Sequence, residues 1–281
     1  MRYDDERARG GGSLGKVFIF FSVVLVAFVV MSVAMSFVPI HAIFQVAAVQ
    51  FVVILGAAIL YRKLRQAPSS FWPKFSGTGM SAGAMVLVCL TAIALGFLGN
   101  VMTLGIAEIF GLQDLVERYQ DAIEQILLPE SVGLQILGAV SVVIVAPFCE
   151  EILFRGTILP EQRRSQGVWA AVILNGVLFA FLHLNPLNFL ALAVIGTFLA
   201  WVTVKSGSIW PAILGHGALN FVNGVVLPRL PVETADVDVE LWEIGVLFAV
   251  MVTLVAGLWW GLARALRMDG GDNAVDRNEY I

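Results

Sequence analysis

Long apolar runs follow one another along almost the whole chain, and they restrict it more than any other feature. A hydrocarbon core of about 30 Å takes roughly 20 apolar residues in helical form. The sequence offers about eight such runs, near residues 17–38, 42–61, 80–104, 132–159, 167–184, 189–204, 209–227 and 242–264. Backbone groups cannot stay unpaired in hydrocarbon, so each run must be a helix or a strand of a closed barrel. Strand-type alternation is weak, which leaves helices. The charged fraction of 14% lies well below the roughly 25% of soluble domains. The expected fold class is therefore all-α, a polytopic transmembrane helical bundle of about eight spans. The first run, from about Val17 to Val38, is too long for a signal-peptide core and has no clear cleavage site after it, so it reads as a retained helix.

Lys and Arg set the expected orientation. Arg62, Lys63 and Arg65 follow the second run, Arg163 and Arg164 the fourth, Lys205 the sixth, and Arg264 and Arg267 the eighth. With Arg2, Arg7, Arg9 and Lys16 before the first run, all these fall on one side, and the positive-inside rule places both termini in the cytoplasm of a multi-pass cell-membrane protein. Between the third and fourth runs, Ile109, Leu112, Leu115, Val116, Tyr119, Ile123 and Ile126 recur at helical spacing opposite Glu108, Asp114, Glu117, Asp121 and Glu124. This predicts one amphipathic interfacial helix, more readily a brace or lid than a centre of chemistry.

The chain divides into a flexible cytoplasmic N-terminus (1–16), N-terminal spans with the amphipathic helix (17–131), a core (132–227), a loop and last span (228–267) and a flexible C-terminus (268–281). The Gly10 to Gly12 run and the tail after Met268 mark the flexible ends. No internal repeat is visible, which weakens a transporter built on inverted halves. A net charge of −4 without a basic stripe argues against nucleic acid as a partner. The expected partners are membrane lipid and a membrane-associated protein or peptide.

Ionisable groups at membrane depth are costly and by default mark function. Polar side chains cluster in three of the runs. The fourth carries Ala146-Pro147-Phe148-Cys149-Glu150-Glu151-Ile152-Leu153-Phe154-Arg155-Gly156. Glu151 and Arg155 stand four residues apart, which allows an ion pair, whereas Glu150 is turned about 100° around the helix and left to act. Pro147 removes a backbone hydrogen bond just before them and permits a kink. In the fifth run Asn175, Phe179 and His183 recur every four residues on one face. In the seventh, His216 and Asn220 share a face with Asn223 nearby, a pair suited to an oxyanion and equally able to bind helices together. Each cluster has a plain structural alternative: charges snorkelling at a helix end, a packed histidine, helix-bridging amides.

The fourth and fifth runs form an antiparallel hairpin about the turn near Pro160 to Gln166, which brings Glu150 and His183 within about two turns of the same depth. His216 counts out nearer the cytoplasmic end of its run. Bringing it to the same site requires a tilted or shortened fifth span, which Asn185-Pro186 can end early.

Other polar residues carry less. Gly79-Met80-Ser81-Ala82-Gly83 matches a nucleophile elbow in letters, but it opens an apolar helix instead of joining a strand to one, and the same residues satisfy a small-residue packing pattern. His41 falls in an opposite-side loop, remote from the clusters. Cys89 and Cys149 lack metal-ligand spacing and read as small buried fillers, so neither a disulfide framework nor a structural zinc site is expected.

Glu150-Glu151-Ile152-Leu153-Phe154-Arg155, Phe179-Ala180-Phe181-Leu182-His183 and His216-Gly217-Ala218-Leu219-Asn220 stand in order on three successive apolar cores. In this the sequence resembles the type II CAAX prenyl endopeptidase family, also described as CAAX proteases and bacteriocin-processing enzymes. The resemblance covers roughly residues 132 to 227. It implies a metal-independent intramembrane glutamate endopeptidase with a cavity opening to the cytoplasm and no cofactor. Glu150 assisted by His183 would activate water, His216 with Asn220 would stabilise the oxyanion, and Glu151 and Arg155 would support them. Two other readings stay open: a metal-dependent hydrolase using Glu150, His183 and His216, and a non-proteolytic scaffold or immunity protein of the same fold. A transporter or channel fits less well, because the polar residues form one compact site.

Overall fold

The computed structural model describes residues 14–65, 80–230 and 240–268. The expected flexible ends, with Gly10 to Gly12 and the tail after Met268, lie outside the described residues, as do Gly79 and residues 231–239. The described residues contain no strand and form nine helices. These are α1 (Leu14–Ser36), α2 (Ala42–Leu64), α3 (Ala82–Phe110), α4 (Gln113–Leu127) and α5 (Val132–Ser165). They continue with α6 (Val168–Leu182), α7 (Phe189–Ser206), α8 (Trp210–Asn220) and α9 (Leu241–Met268).

Helices α1, α2, α3, α5, α7 and α9 are long and apolar enough to cross a membrane, which makes this a multi-pass membrane protein. The apolar α6 has only 15 residues. Helix α8 has 11, prolonged by a π turn over Phe221–Val226. Each of the eight expected spans thus has its helix. The fourth runs further than expected, to Ser165, and the hairpin turn falls at Gln166 and Gly167.

Helix starts follow local chemistry. Ser81 caps α3, its hydroxyl accepting from the Ala84 amide at 3.3 Å. His41 caps α2 in the same way through Nδ1 and the Ile43 amide, also at 3.3 Å. Both side chains satisfy amides that have no intrahelical acceptor. Helix α3 stops at Gly111, whose φ of 65° suits a residue without Cβ. The amphipathic helix therefore begins at Gln113, and Glu108 and Ile109 belong to the end of α3.

Prolines are absorbed by widened turns. A proline inside a helix clashes with the carbonyl four residues earlier. For Pro147, Pro160 and Pro228 that carbonyl belongs to Val143, Gly156 and Gly224. All three lie in π turns, at Ser141–Val145, Phe154–Ile158 and Phe221–Val226. Such turns displace the carbonyl and let the helix continue.

Two buried clusters hold the bundle. One joins α3, α7, α8 and α9 through residues such as Val88, Phe198, Leu219 and Leu262. The other joins α1, α2, α5, α6 and α8 through Phe21, Ile54, Phe154, Phe179 and Ile213. The α6–α7 crossing bridges them. A Cβ on Gly176 would lie 2.5 Å from the Ala193 carbonyl oxygen, and one on Gly196 would lie 2.9 Å from the Gly176 Cα. Only glycine lets these backbones approach so closely.

Candidate active site

Glu150 and Glu151 occupy the regular turns of α5 between its two π turns, both buried. Their side chains diverge as adjacent helical positions must. Glu151 turns towards α7 and α8. Its Oε1 accepts from Arg155 Nη1 at 2.9 Å and from His216 Nδ1 at 3.0 Å. Arg155 Nη2 donates to the Gly196 carbonyl at 2.7 Å, and the guanidinium lies 4.8 Å from the Phe179 ring centroid. A buried carboxylate is thus matched by a buried guanidinium with further partners, the condition under which such a pair is tolerated away from water.

Glu150 turns towards α2 and α6. Its Oε1 accepts from Gln50 Nε2 at 2.8 Å. Its Oε2 is buried without a hydrogen-bond partner and lies 3.9 Å from His183 Nε2. The other imidazole nitrogen of His183, Nδ1, is 2.9 Å from the Phe179 carbonyl oxygen. A carbonyl only accepts, so Nδ1 carries the proton, and in the neutral ring Nε2 presents a lone pair towards Glu150.

Phe179 stands between the two imidazoles, 4.6 Å from the His183 ring and 5.6 Å from the His216 ring, centroid to centroid. Asn175, one turn earlier on the same face, donates to the Phe154 carbonyl and to Gln162 Oε1, each at 3.0 Å, and so pins α6 to the π turn of α5. Asn220 donates to the Val142 carbonyl at 2.9 Å, in the other π turn of α5. Gly217 assists this approach, since a Cβ there would lie 2.9 Å from the Val143 carbonyl oxygen.

Helix α6 ends early. Leu182 is its last residue and His183 its C-cap, Leu184 adopts φ 50°, and the Asn185 side chain accepts from the Leu187 and Asn188 amides. A short α6 is what the sequence required if His216 and His183 were to meet at one depth. Glu150 with His183, and Glu151 with Arg155 and His216, accordingly form two adjoining groups that both meet Phe179, with Asn220 one turn beyond His216.

Gln50 escaped sequence reasoning. It is an isolated amide inside an apolar run, on no repeating face with a titratable group, so no cluster marks it in the sequence. Its only signal was its polarity at membrane depth. The pair Asn100 and Asn223, joined at 2.9 Å, was half missed for the same reason. Cys149 is fully buried and Ser81 serves as a cap, so neither joins the site. Among the described residues no group of three or more His, Cys, Asp and Glu side chains is placed to hold a metal ion. His183 faces Glu150 while His216 is bonded to Glu151.

Residues 132–222 match the family model described as type II CAAX prenyl endopeptidase Rce1-like. The match spans all three motifs and begins with the first residue of α5. It suggests a membrane protease or related hydrolase. No curated protein matches the chain, and no solved structure does.

Proposed function

We propose that the protein is an intramembrane glutamate endopeptidase that hydrolyses a peptide bond in a membrane-associated protein or peptide. The observation that carries this reading is the Glu150 carboxylate. One oxygen is held by Gln50, and the other is buried, unpartnered and 3.9 Å from a histidine nitrogen that offers a lone pair. A water about 2.8 Å from both atoms, an ordinary hydrogen-bond length, would give one proton to Glu150 Oε2 and point the other at His183 Nε2. Glu150 removes the proton as the water oxygen attacks the carbonyl carbon, and returns it to the departing amine.

The developing oxyanion meets His216 and Asn220. With Nδ1 donating to Glu151, His216 is oriented so that Nε2 is the ring nitrogen left for the substrate. Asn220 uses one amide hydrogen on Val142 and has a second to offer. Glu151 and Arg155 are positioning residues: they orient His216 and link α5 to α7. Both termini lie on the cytoplasmic side in this reading.

The test is cleavage of a membrane-presented peptide library by the purified chain in nanodiscs, as wild type and as Glu150→Gln, with and without a strong chelator. Loss of the general base is expected to lower the rate by about 10²-fold or more, and the wild-type rate should survive the chelator. Chelator-sensitive cleavage would transfer the assignment to a metal-dependent hydrolase. Folded protein with no cleavage in any arm would favour a scaffold.

A further inference from the structure

Between the basic end of the bundle and Glu150 lies a layer in which Phe154, Arg155, Gln162, Asn175 and Phe179 are each at most 1% exposed. Gln162 and Asn175 stand outside the three motifs. Asn175 Nδ2 lies 3.0 Å from the Phe154 carbonyl oxygen and 3.0 Å from Gln162 Oε1. The carbonyl can only accept, so the Asn175 atom beside it must be the amide nitrogen, and the Gln162 atom beside that nitrogen must be the oxygen. The orientation of both amides is thereby fixed, and Asn175 Oδ1 and Gln162 Nε2 are left buried without hydrogen-bond partners.

Stability alone does not ask for this arrangement. Orphaned polar atoms in a buried layer are unfavourable, and an apolar pair of the same shape is commonly neutral or better. The Phe154 carbonyl would not be stranded by such a change, because it also accepts from the Leu159 amide that closes the π turn. What the two amides supply is a directional contact between α5 and α6, which apolar packing lacks.

That contact sits where the spacing of Glu150 and His183 needs support. Each of the two lies about 24 Å along its helix from the turn at Gln166 and Gly167, and Asn175 grips about 12 Å before His183. On the α5 side, the Phe154 amide is bonded to the carbonyls of Glu150 and Glu151, so the residue that Asn175 holds is hydrogen-bonded to the backbone of the carboxylate itself. On the α6 side, the Phe179 ring meets the Phe154 ring edge-on at 5.3 Å, and the Phe179 carbonyl holds His183 Nδ1. Sliding α6 by one residue would carry His183 about 1.5 Å along the axis. That is enough to end a water bridge across the 3.9 Å between His183 Nε2 and Glu150 Oε2.

We infer that Asn175 and Gln162 are positioning residues, whose amide clamp sets the register of α6 on α5 so that one water spans Glu150 and His183. This rests on the endopeptidase reading. The clamp lies about two turns from His183, so it acts on the water-activating step and leaves substrate binding alone.

The test replaces the amide pair by apolar side chains of similar shape, Asn175→Leu with Gln162→Met, in the full-length chain in nanodiscs. Removing both orphaned atoms should keep the unfolding temperature at or above that of the wild type. Because a misplacement of about 1 Å in a reacting pair costs up to 10²-fold, kcat should nevertheless fall by about tenfold to a hundredfold, with KM within about twofold. Gln162→Met alone keeps the Asn175–Phe154 bond, should lower kcat by less than the pair does, and carries the test should the paired variant not fold. The place of His183 is read directly from its imidazole nitrogen NMR signals, assigned among the three histidines by their loss in His183→Gln. These signals should move in the paired variant, as they should in Glu150→Gln. Unchanged kcat, a loss of kcat that merely follows a lowered unfolding temperature, or unmoved His183 signals would each overturn the inference. Should the wild type cleave no peptide, the endopeptidase reading falls and the signals alone decide: displaced signals retain the clamp as the device that orients His183 on Glu150, and unmoved ones remove it.

Discussion

Two adjacent carboxylates have different surroundings because a helix turns them apart: Glu151 Oε1 is held by Arg155 and His216, Glu150 Oε1 by Gln50, and each keeps a buried Oε2 without a hydrogen-bond partner, that of Glu150 facing His183. Gln50 decides which oxygen that is. Removing a hydrogen bond to a buried charged group costs about 1.5–3 kcal/mol. Gln50→Leu should therefore lower kcat by about tenfold or more, since 1.36 kcal/mol is one decade, with KM nearly unchanged; unaltered kcat in steady-state assays would remove Gln50 from the site. Arg155 has a structural task. Arg155→Met leaves the Glu151 charge buried beside His216 alone, and breaking such a pair costs about 3–5 kcal/mol. Thermal unfolding in detergent should fall sharply for Arg155→Met and recover in part when Glu151→Gln is added, because the orphaned charge is then gone. The residues of the three motifs were legible in the sequence, since each repeats at helical spacing. Gln50 was not, because its importance comes from a contact with a residue a hundred positions away.

At the scale of elements, the site depends on how closely α6 meets α7. Arg155 reaches the Gly196 carbonyl only because Gly176 and Gly196 let the two backbones touch. Gly176→Ala must push the helices apart, and overpacking of this kind costs about 1–3 kcal/mol. Its unfolding temperature in detergent should drop, while Gly167→Ala, with open space around the added methyl, should leave it unchanged. Equal temperatures for both would show that the crossing has slack. The π turns are a second device at this scale. They carry three prolines through otherwise continuous helices, and the π-turn carbonyls of Phe154 and Val142 accept from Asn175 and Asn220. The sequence showed Pro147 as a kink. It did not show that the turn before the proline would offer an acceptor to another helix, because that depends on where α8 lies.

Across the whole molecule, the basic ends of α2 and α5 meet through the Arg65–Glu161 pair, and the layer around Arg155 between that end and Glu150 is closed. A reporter that is active only in the cytoplasm should be active when fused at either terminus, and activity of an export-dependent reporter at both would reverse the orientation. The sequence alone determined the all-helical membrane architecture, because hydrocarbon admits few other ways to pair a backbone and eight apolar runs are hard to misread. It also determined the motif residues and the sidedness of the charges, which are local patterns and sums. Tertiary structure decided that α6 stops at 15 residues so that His183 and His216 serve adjoining carboxylates, that Gln50 holds Glu150, and which face of the site is closed. The physical reason is that these depend on helix lengths, crossings and contacts between residues far apart in the chain, none of which a periodic pattern within one span encodes.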